Sequence, residues 1–384
     1  MKILHVIDYI QPALGYQEYF LAREHSRQGH DVQVAASDRY FPFPDYSNTV
    51  EPLLGPRIIG KGISECDGFK IKRHAIRFEF GTKTWMLGLE TTVRGFSPDL
   101  VICHGVPTFN AVRLARLKQT LGFKLVIDDH THLSEVRRGL VGYLGFKVFP
   151  FRFVQKHADR IIAIADECIK VMVQFYKIPR ERIEMISLGA DVDRLRHSDE
   201  KRKQFREAHG LSPEHIVVVY TGKLTSKKGP HQICEAVANL NPECFSKLAL
   251  LFVGNTEKQY EATLGACVDR LDPSVRVIQT GAVPNTELVS IYSASDIAVW
   301  PRQASMSMLE AMSCGLPIIC CDYLKERCKN DNGILIEEDN IAQLTEALSR
   351  LVFAPEVRSR MGERGRKFVT SELSWSEIAK RFTT

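Results

Sequence analysis

Short apolar runs alternate with amphipathic stretches along most of the chain, with one interruption near the middle. Helical segments with a polar face, such as residues 17–28 closed by Gly29, separate the apolar runs. The apolar runs of the first half have the length of buried strands and cover residues 3–7, 32–36, 100–103, 124–127 and 160–165. Strands that alternate with helices form parallel sheets, so the pattern predicts an α/β, doubly wound domain.

A polar stretch over residues 191–214 precedes a second series of the same kind. Strand-like runs at 216–220, 249–253 and 275–280 alternate with further helical segments. The restart predicts two Rossmann-like domains, residues 1–190 and 191–369. Residues about 40–95 are less regular and predict loops with a β-rich insertion.

Composition narrows the class of protein. The chain has 384 residues, 44% hydrophobic and 25% charged, which suits two globular domains. A net charge of +5 argues against a dedicated nucleic-acid binder. The ten cysteines form no C-x-x-C pair, and Cys103, Cys320 and Cys321 lie in apolar runs, which indicates core thiols in a reducing compartment and no metal framework. The amino-terminal residues predict a first strand and not a signal peptide, and no apolar run approaches the roughly 18 residues of a membrane span, so we expect a cytoplasmic protein.

The most informative stretch lies between residues 291 and 322. A short apolar run ends at Pro301, and Ser307 and Glu310 have the spacing of a capping box at the start of a helix that Gly315 ends. The opening of a helix after a strand favours an anion such as phosphate. The Glu310 carboxylate does not favour an anion, so it suits sugar hydroxyls; the alternative is that Glu310 is only a helix cap.

A second motif, T-G-K-L-T-S-K-K-G, follows the predicted strand at 216–220. Gly222 permits a sharp turn, and Lys223 and Lys228 place two cations in one short loop before a helix. Two cations at a helix opening predict a pyrophosphate site. A solvated basic loop is the alternative.

Three positions in the first half follow predicted strands. Gly15 and Tyr16 come after the first strand, His104 ends the strand at 100–103, and His130 follows Asp128 and Asp129. The carboxyl ends of parallel strands carry ligand sites, which favours a function for these residues. The alternatives are a plain strand-to-helix turn at Gly15 and surface histidines.

The segment E-A-M-S-C-G-L-P at 310–317 resembles the donor-binding signature of retaining GT-B glycosyltransferases of the family 4 type, the glycosyl transferases group 1. The resemblance implies the GT-B fold, two Rossmann-like domains facing across a cleft. It assigns acceptor binding to the first domain, completed by a crossing helix at about 370–384, and nucleotide-sugar binding to the second. Weaker matches at 187–191, 254–255 and 281–283 follow the family order along the chain.

The same resemblance implies roles for individual residues. Lys223 and Lys228 would bind the donor phosphates, His130 would lie near the reacting sugar, and Glu310 would complete the catalytic set. His104 and Tyr16 are candidates for the acceptor side. The donor-binding set would comprise Gly15, Gly222, Gly254, Arg302, Ser305, Met306, Ser307 and Glu310.

Arg302 departs from the family, which has a Glu at this position. A guanidinium there could pair with an acidic donor sugar or a phosphate. It could also mark a subgroup that uses backbone N–H groups of residues 304–306, or a loss of activity.

The chain therefore resembles a retaining, metal-independent enzyme that moves a sugar from a nucleotide donor, expected to be a UDP-sugar, to a carbohydrate or lipid-linked acceptor hydroxyl. Cell-surface polysaccharide or glycolipid biosynthesis is the expected setting, and no cofactor is implied. One alternative is a catalytically inactive GT-B partner subunit that binds nucleotide or scaffolds a polysaccharide-assembly complex. A sugar-nucleotide epimerase is a further alternative, which the Glu-Ala-Met signature disfavours.

Residues 136–160 interleave aromatic and basic side chains. Such a segment can lie on an anionic membrane surface, which predicts peripheral contact with the inner face of the membrane. The alternative is a core helix with basic residues on its solvated side.

Overall fold

The computed structural model describes residues 1–131, 150–303 and 305–384, without the side chains of Thr49, Pro150 and Tyr323. The chain divides into two compact units. The first comprises Met1–Leu188 together with Trp375–Thr384, and the second comprises Gly189–Ser374. Both are α/β units with a parallel sheet, as the alternating pattern predicted.

The first unit is built on an eight-stranded sheet and a separate two-stranded hairpin. Its strands are β1 (Lys2–Val6), β2 (Asp31–Ser37), β3 (Gly62–Cys66), β4 (Phe69–His74), β5 (Ile76–Phe80), β6 (Lys83–Met86), β7 (Leu100–His104), β8 (Lys124–Asp129), β9 (Arg160–Ala163) and β10 (Ile183–Met185). The order in the large sheet is β10-β9-β8-β7-β1-β2-β4-β3, with every pair parallel except β3 and β4.

Helices cover this sheet and bury its apolar side chains. They are α1 (Gln17–Arg27), α2 (Tyr46–Thr49), α3 (Glu51–Leu54), α4 (Leu89–Phe96), α5 (Phe109–Leu121), α6 (Pro150–His157) and α7 (Asp166–Gln174). The core draws on the strands that the apolar runs predicted, including Leu4, Val101 and Ile127, all fully buried. Residues 40–95 were predicted as an insertion, but β4 pairs in parallel with β2 and so extends the main sheet.

The second unit has a six-stranded sheet in the order β13-β12-β11-β14-β15-β16, parallel throughout. Its strands are β11 (Ile216–Thr221), β12 (Leu248–Val253), β13 (Arg276–Gly281), β14 (Ile297–Trp300), β15 (Ile318–Cys321) and β16 (Gly333–Ile336). Its helices are α8 (Asp199–Ala208), α9 (His231–Ala238), α10 (Glu261–Val268), α11 (Leu288–Ala294), α12 (Ser307–Ser313), α13 (Ile341–Phe353) and α14 (Pro355–Glu372).

The polar stretch at 191–214 is not a simple separator, because α8 lies within it. The Ser198 hydroxyl accepts a hydrogen bond from the backbone N–H of Lys201 and caps α8. Arg202 and Arg206 donate to the two carboxylate oxygens of Asp296 at 2.8 and 2.7 Å. These bonds make α8 part of the second unit, whereas its charged sequence looked like a linker.

The last helix, α15 (Trp375–Thr383), belongs to the first unit. Trp375 stacks on Phe20 of α1 with ring centroids 5.1 Å apart. The backbone carbonyl of Ala379 lies 2.9 Å from Nε2 of His25. The end of the chain thus packs on α1.

The described part of the predicted membrane segment is α6 and the residues after it. Phe151 and Val154 are 1% exposed and lie in the core, while Arg152 and Lys156 are exposed. This part therefore matches the alternative of a core helix with a basic solvated side. Residues 136–149 lie outside the described residues. No helix in the described ranges combines the length and apolar character of a membrane span.

Candidate functional site

In the second unit, glycines bring two strand ends into backbone contact. The backbone N–H of Gly222, after β11, donates to the Val253 carbonyl at 2.9 Å. Gly254, after β12, adopts a φ of 140°, and a Cβ there would lie 2.0 Å from the Gly222 carbonyl oxygen. Only glycine permits this approach. The loops after β11 and β12 are therefore held against each other at the carboxyl edge of the sheet.

The loop after β11 concentrates positive charge. Burial lowers the pKa of Lys228, and the nearby charge of Lys223 lowers it further. A Cβ on Gly222 would lie 3.6 Å from Lys228 Nζ, so the ammonium group sits over the glycine turn. Neither lysine has an acidic partner within ion-pair distance among the described residues. Two unpaired ammonium groups at this position make the loop a candidate site for an anion.

Glu310 is held by a buried hydroxyl network. Tyr292 donates to Glu310 Oε2 at 3.3 Å, and its hydroxyl also lies 3.0 Å from Thr221 Oγ1 at the end of β11. Burial raises the pKa of Glu310; Tyr292 and Arg194 offset part of that rise, and Asp191 adds to it.

The predicted capping box between Ser307 and Glu310 does not form. The first residue outside α12 is Met306, whose side chain makes no capping bond. Ser307 instead donates to the Thr221 carbonyl at 3.0 Å and lies 2.6 Å from Ser305 Oγ. The capping prediction failed because the end of β11 competes for the Ser307 hydroxyl. Glu310 is thereby left to Tyr292, which removes the reading of Glu310 as a helix cap.

Arg302 follows β14 and braces the lysine loop. Its Nη1 donates to the Ser226 carbonyl at 2.6 Å, and its Nε donates to Asp339 Oδ1 at 2.6 Å. The Arg302 stem packs against Gly229, where a Cβ would lie 3.0 Å from Arg302 Cδ. The observed contacts of Arg302 are thus with the loop that carries Lys228 and with Asp339.

These residues gather where the strand order of the second sheet changes direction. From β11 the chain proceeds outward through β12 and β13, then returns to place β14 on the other side of β11. Loops that leave adjacent strands in opposite directions open a crevice at the carboxyl edge, the usual ligand site of such sheets. The loops after β11 and β14 supply Lys223, Lys228 and Arg302, and α12 begins at Ser307.

The first unit has the same kind of switch point between β1 and β7. After β1, Gly15 adopts a left-handed conformation with φ 64° and Tyr16 precedes α1 with 44% of its surface exposed. The Gln17 side chain donates through Nε2 to Asp128 Oδ2 at 2.9 Å, which joins this turn to the end of β8.

Asp128 organises the histidines of the first unit. His104 Nδ1 lies 2.9 Å from Asp128 Oδ2, and His130 Nε2 lies 3.6 Å from the same oxygen. Burial alone would raise the pKa of Asp128, but His104 and His130 lower it well below its usual range. Burial lowers the pKa of His130, yet Asp128, Glu18 and Asp129 outweigh it, so the net change is upward.

Sequence reasoning favoured His130 over His104 and missed Gln17 and Glu18. Glu18 is 7% exposed, and burial raises its pKa despite the nearby His104 and His130. Gln17 and Glu18 could have been found from their position, because they begin α1 just after Gly15 and Tyr16, at the carboxyl edge of the sheet. His5 and His25 were also missed, and their signal was a histidine inside an apolar strand and on a buried helix face.

Within the described ranges, His104, Asp128 and His130 form a group whose potential ligand atoms all lie within 4.8 Å of one another. His104 already uses both ring nitrogens, Nδ1 toward Asp128 and Nε2 toward His5. We therefore describe these residues as a hydrogen-bonded cluster and assign no metal to them.

Known sequences resemble both halves of the chain. Residues 19–194 match the family described as Glycosyltransferase Family 4, and residues 201–368 match Glycosyl transferases group 1. D-inositol 3-phosphate glycosyltransferase 2 of Catenulispora acidiphila is 27% identical over 234 residues, 58% of this chain and 54% of the relative. The putative glycosyltransferase EpsD of Bacillus subtilis is 27% identical over 289 residues, 73% of this chain and 74% of the relative. For the inositol phosphate relatives, the chain spans about half of their length.

Solved structures share the fold. A crystal structure of Anabaena Alr3699/HepE in complex with UDP aligns with a TM-score of 0.70 at 17% identity, covering 100% of this chain and 98% of that one. The lipopolysaccharide glycosyltransferase WaaG aligns with a TM-score of 0.60 at 16% identity, covering 99% and 98%. These likenesses identify the fold as GT-B. With both sequence families matched in order along the chain, the protein belongs to the group 1, family 4 type of glycosyltransferases.

Proposed function

We propose that the protein is a retaining glycosyltransferase that takes a sugar from a nucleotide donor, preferentially a UDP-sugar, without a metal ion. The observation that carries the proposal is the unpaired Lys223 and Lys228 pair at the switch point of the second sheet. Two cations aimed at the donor would stabilise the negative charge that develops on a departing nucleoside diphosphate. The structurally similar protein that contains UDP supports uracil as the donor's base.

The second unit would hold the donor. Lys223 and Lys228 would bind the diphosphate, and the glycine turns at Gly222 and Gly254 would let the backbone approach it. Glu310, kept in place by Tyr292, would accept hydrogen bonds from donor hydroxyls. Ser305, Met306 and Ser307 would line the same edge. Arg302 would act through the lysine loop rather than on the sugar itself.

The first unit would bind the acceptor and the reacting sugar. His130 would donate to a sugar hydroxyl, and Tyr16, which is 44% exposed, would contact the acceptor. His104, 7% exposed and bonded to Asp128, would act through that carboxylate. None of these residues serves as a base, so the acceptor hydroxyl would transfer its proton to the donor phosphate.

The proposed chemistry needs no protein base. The bond between the anomeric carbon and the phosphate oxygen breaks while the acceptor oxygen bonds to that carbon on the same face. The acceptor proton passes to the departing phosphate oxygen.

A donor screen tests the proposal. Thermal shift with UDP, GDP and ADP at equal concentration should show selective stabilisation by UDP, about 2.7 kcal/mol at 100 times its Kd. UDP release from UDP-sugars with carbohydrate or lipid-linked acceptors should persist in EDTA, and the product should keep the donor's anomeric configuration. An inverted product, or activity that EDTA abolishes and metal restores, would contradict it.

The inactive partner subunit stays the alternative, because Arg302 replaces an acidic residue of the family. It predicts UDP binding without release of UDP from any sugar donor. Lys223→Ala and Lys228→Ala should each lose UDP binding, while Lys227→Ala, in the same loop and exposed, should keep it. The variants test the site under either function, and donor turnover separates the two functions.

A polysaccharide or glycolipid acceptor and membrane contact are also proposed. The structurally similar WaaG is described as a glycosyltransferase involved in lipopolysaccharide biosynthesis, which supports an acceptor of this class. Co-sedimentation with anionic vesicles at low salt, lost as salt rises, would support contact through residues 136–160. Equal binding to neutral vesicles would count against it.

A further inference from the structure

A chain of three buried histidines runs from Asp128 to the last helix of the first unit. His104 Nδ1 lies 2.9 Å from Asp128 Oδ2, and His104 Nε2 lies 3.0 Å from His5 Nδ1. His5 Nε2 lies 3.1 Å from His25 Nδ1, and His25 Nε2 lies 2.9 Å from the Ala379 carbonyl oxygen. All four links have normal hydrogen-bond lengths. The imidazoles thus form one continuous line between two oxygen acceptors.

The two ends of this line fix the number of protons in it. The Ala379 carbonyl can only accept, so His25 must donate through Nε2 and accept at Nδ1. His5 must then donate through Nε2 and accept at Nδ1, and His104 must donate through Nε2. If Asp128 is ionised, His104 must also donate through Nδ1. Four links therefore need four protons, whereas three neutral imidazoles bring only three.

The fourth proton belongs on His104. Burial, His25 and His104 lower the pKa of His5 well below its usual value, and burial lowers the pKa of His25 to about 4. Asp128 also accepts from Gln17, which favours its ionised form. His104 is the imidazole in contact with that carboxylate, so the positive charge rests where the negative charge is.

We infer that His5 and His25 are positioning residues that keep His104 doubly protonated, so that the charge of Asp128 is neutralised where it faces His130. The line of donors has one direction only, imposed by the Ala379 carbonyl. The inference deepens the proposed function only where it concerns His130, and its structural part stands without it.

Other titratable groups near the line do not supply the missing proton. Glu18 faces His104 and His130 from α1, and Asp129 adds negative charge near His130. His30, after α1, lies beside His25, with ring centroids 6.1 Å apart. Negative charge from Glu18 and Asp129 would favour a cation on His104, and His30 opposes a cation on His25. Both effects place the proton at the Asp128 end.

The wild-type protein provides the direct measurement. Nitrogen-15 spectra of the histidine rings in the full chain at neutral pH should show both nitrogens of His104 protonated. His5 and His25 should each be neutral, with the proton on Nε2. A neutral His104, or a proton on Nδ1 of His5 or His25, would overturn the inference. This measurement needs neither a substrate nor a variant.

Two replacements of His25 then separate the effect of hydrogen-bond direction from the effect of losing the imidazole ring. In His25→Gln the amide can accept from His5 and donate to Ala379, so the requirement for the fourth proton remains. In His25→Leu the line ends at His5, whose neutral ring can donate through Nδ1 to His104, and no extra proton is needed. The doubly protonated His104 signal should persist in the first variant and vanish in the second.

A matched control is His74→Leu, which removes another buried histidine of the first unit, bonded to the Leu87 carbonyl and outside the line. It should leave the His104 signal unchanged. Loss of that signal in all three variants would mean that any core disruption causes it, and would overturn the inference.

The activity readout rests on the proposed function. A neutral His104 leaves the charge of Asp128 uncompensated, which favours protonation of His130. In the proposed function the donor to the sugar hydroxyl is the neutral imidazole of His130, so the acidic limb of kcat/KM against pH should move upward in His25→Leu by about one pH unit, the scale for an added charge nearby, but not in His25→Gln. If the wild type transfers no sugar while the ring spectra behave as stated, the proposed function fails and the proton assignment stands.

Discussion

Arg302 and Asp339 are joined by a hydrogen bond of 2.6 Å from the guanidinium Nε to the carboxylate Oδ1. The same carboxylate oxygen accepts from Gln232 at 2.6 Å, and Arg302 also donates to the Ser226 carbonyl. Four elements meet here: the loop after β14, the lysine loop, α9 and the turn before α13. A residue that reverses the family's usual charge thus has its partner within the same unit.

This relationship predicts that Asp339→Asn and Arg302→Gln weaken UDP binding to a similar degree. Each removes a hydrogen bond that holds the loop carrying Lys228. Exposed pairs of this kind contribute about 0.2–1 kcal/mol, so a loss of about 1.4- to fivefold is expected. Calorimetric titration of both single variants and of the double variant would measure it. The double variant should be no worse than either single one.

The competing role for Arg302 is direct contact with the donor. In that case Arg302→Gln would lose far more affinity for a UDP-sugar than Asp339→Asn does. Arg302→Glu should be measured in the same way. It restores the family residue but places its carboxylate beside that of Asp339. We expect that variant to bind UDP more weakly than Arg302→Gln, because the new carboxylate would repel Asp339.

We predict that Lys228 lowers the stability of the free protein although UDP binding requires it. Burial, followed by the charge of Lys223, lowers its pKa, so the folded protein holds this proton less tightly than the unfolded chain does. The folded state therefore gains stability as pH rises from the lowered pKa toward the usual lysine value near 10.4. Lys228→Met should melt higher than the wild type at neutral pH without ligand, and should lack that gain.

The same variant should lose the response to UDP. Hydrogen bonds to charged groups contribute about 1.5–3 kcal/mol, so affinity should fall by at least about tenfold. Lys227→Met is the control, since that neighbour is exposed, and it should change neither property. Melting curves with and without UDP on all three proteins provide both readouts, and a Lys228→Met protein that UDP stabilises normally would contradict the assignment.

The sequence was sufficient for what depends on local pattern. Period and length of the apolar runs predicted the alternation of strands and helices in both units, but not α8 or the pairing of β4 with β2, and the glycine and lysine positions predicted the loop after β11. The sequence-based prediction failed where a polar side chain could form a hydrogen bond with more than one partner. The Ser307 hydroxyl bonds to the Thr221 carbonyl, a residue 86 positions away, and not within its own helix.

The histidine cluster shows the same limit. His130 was favoured from its position after a strand, but His104 and Asp128 make the closer pair, across adjacent strands β7 and β8. His5 and His25 meet only because β1 and α1 pack together. Such contacts depend on tertiary register, which a single sequence does not encode in any short window.

Glu310 offers a test that separates kinetics from stability. Tyr292 donates to its carboxylate, and no capping bond by its side chain is present in α12. Glu310→Gln should therefore lower kcat/KM for the donor by roughly ten- to a hundredfold, the loss of a hydrogen bond from a charged group, with little change in melting temperature. Tyr292→Phe should lower both kcat/KM and the melting temperature, because the Thr221 hydroxyl also loses a buried hydrogen-bond partner. Normal kinetics with a lower melting temperature in Glu310→Gln would return the residue to a purely structural role.

Gly254 supplies the sharpest steric prediction. A Cβ at this position would lie 2.0 Å from the Gly222 carbonyl oxygen, a backbone atom that cannot rotate away, and the φ of 140° is unfavourable for any other residue. Gly254→Ala must separate the loops after β11 and β12, so we expect a loss of about 1–3 kcal/mol in unfolding free energy together with loss of UDP binding. Gly265→Ala is the matched control: this glycine lies within α10, has no atom within 4 Å of a new Cβ, and should gain about 0.5–1 kcal/mol as alanine replaces glycine in a helix. Denaturant unfolding of both variants would measure the decrease in unfolding free energy of Gly254→Ala and the increase for Gly265→Ala. Equal stability of Gly254→Ala and the wild type, with UDP binding intact, would show that the two loops do not need this contact.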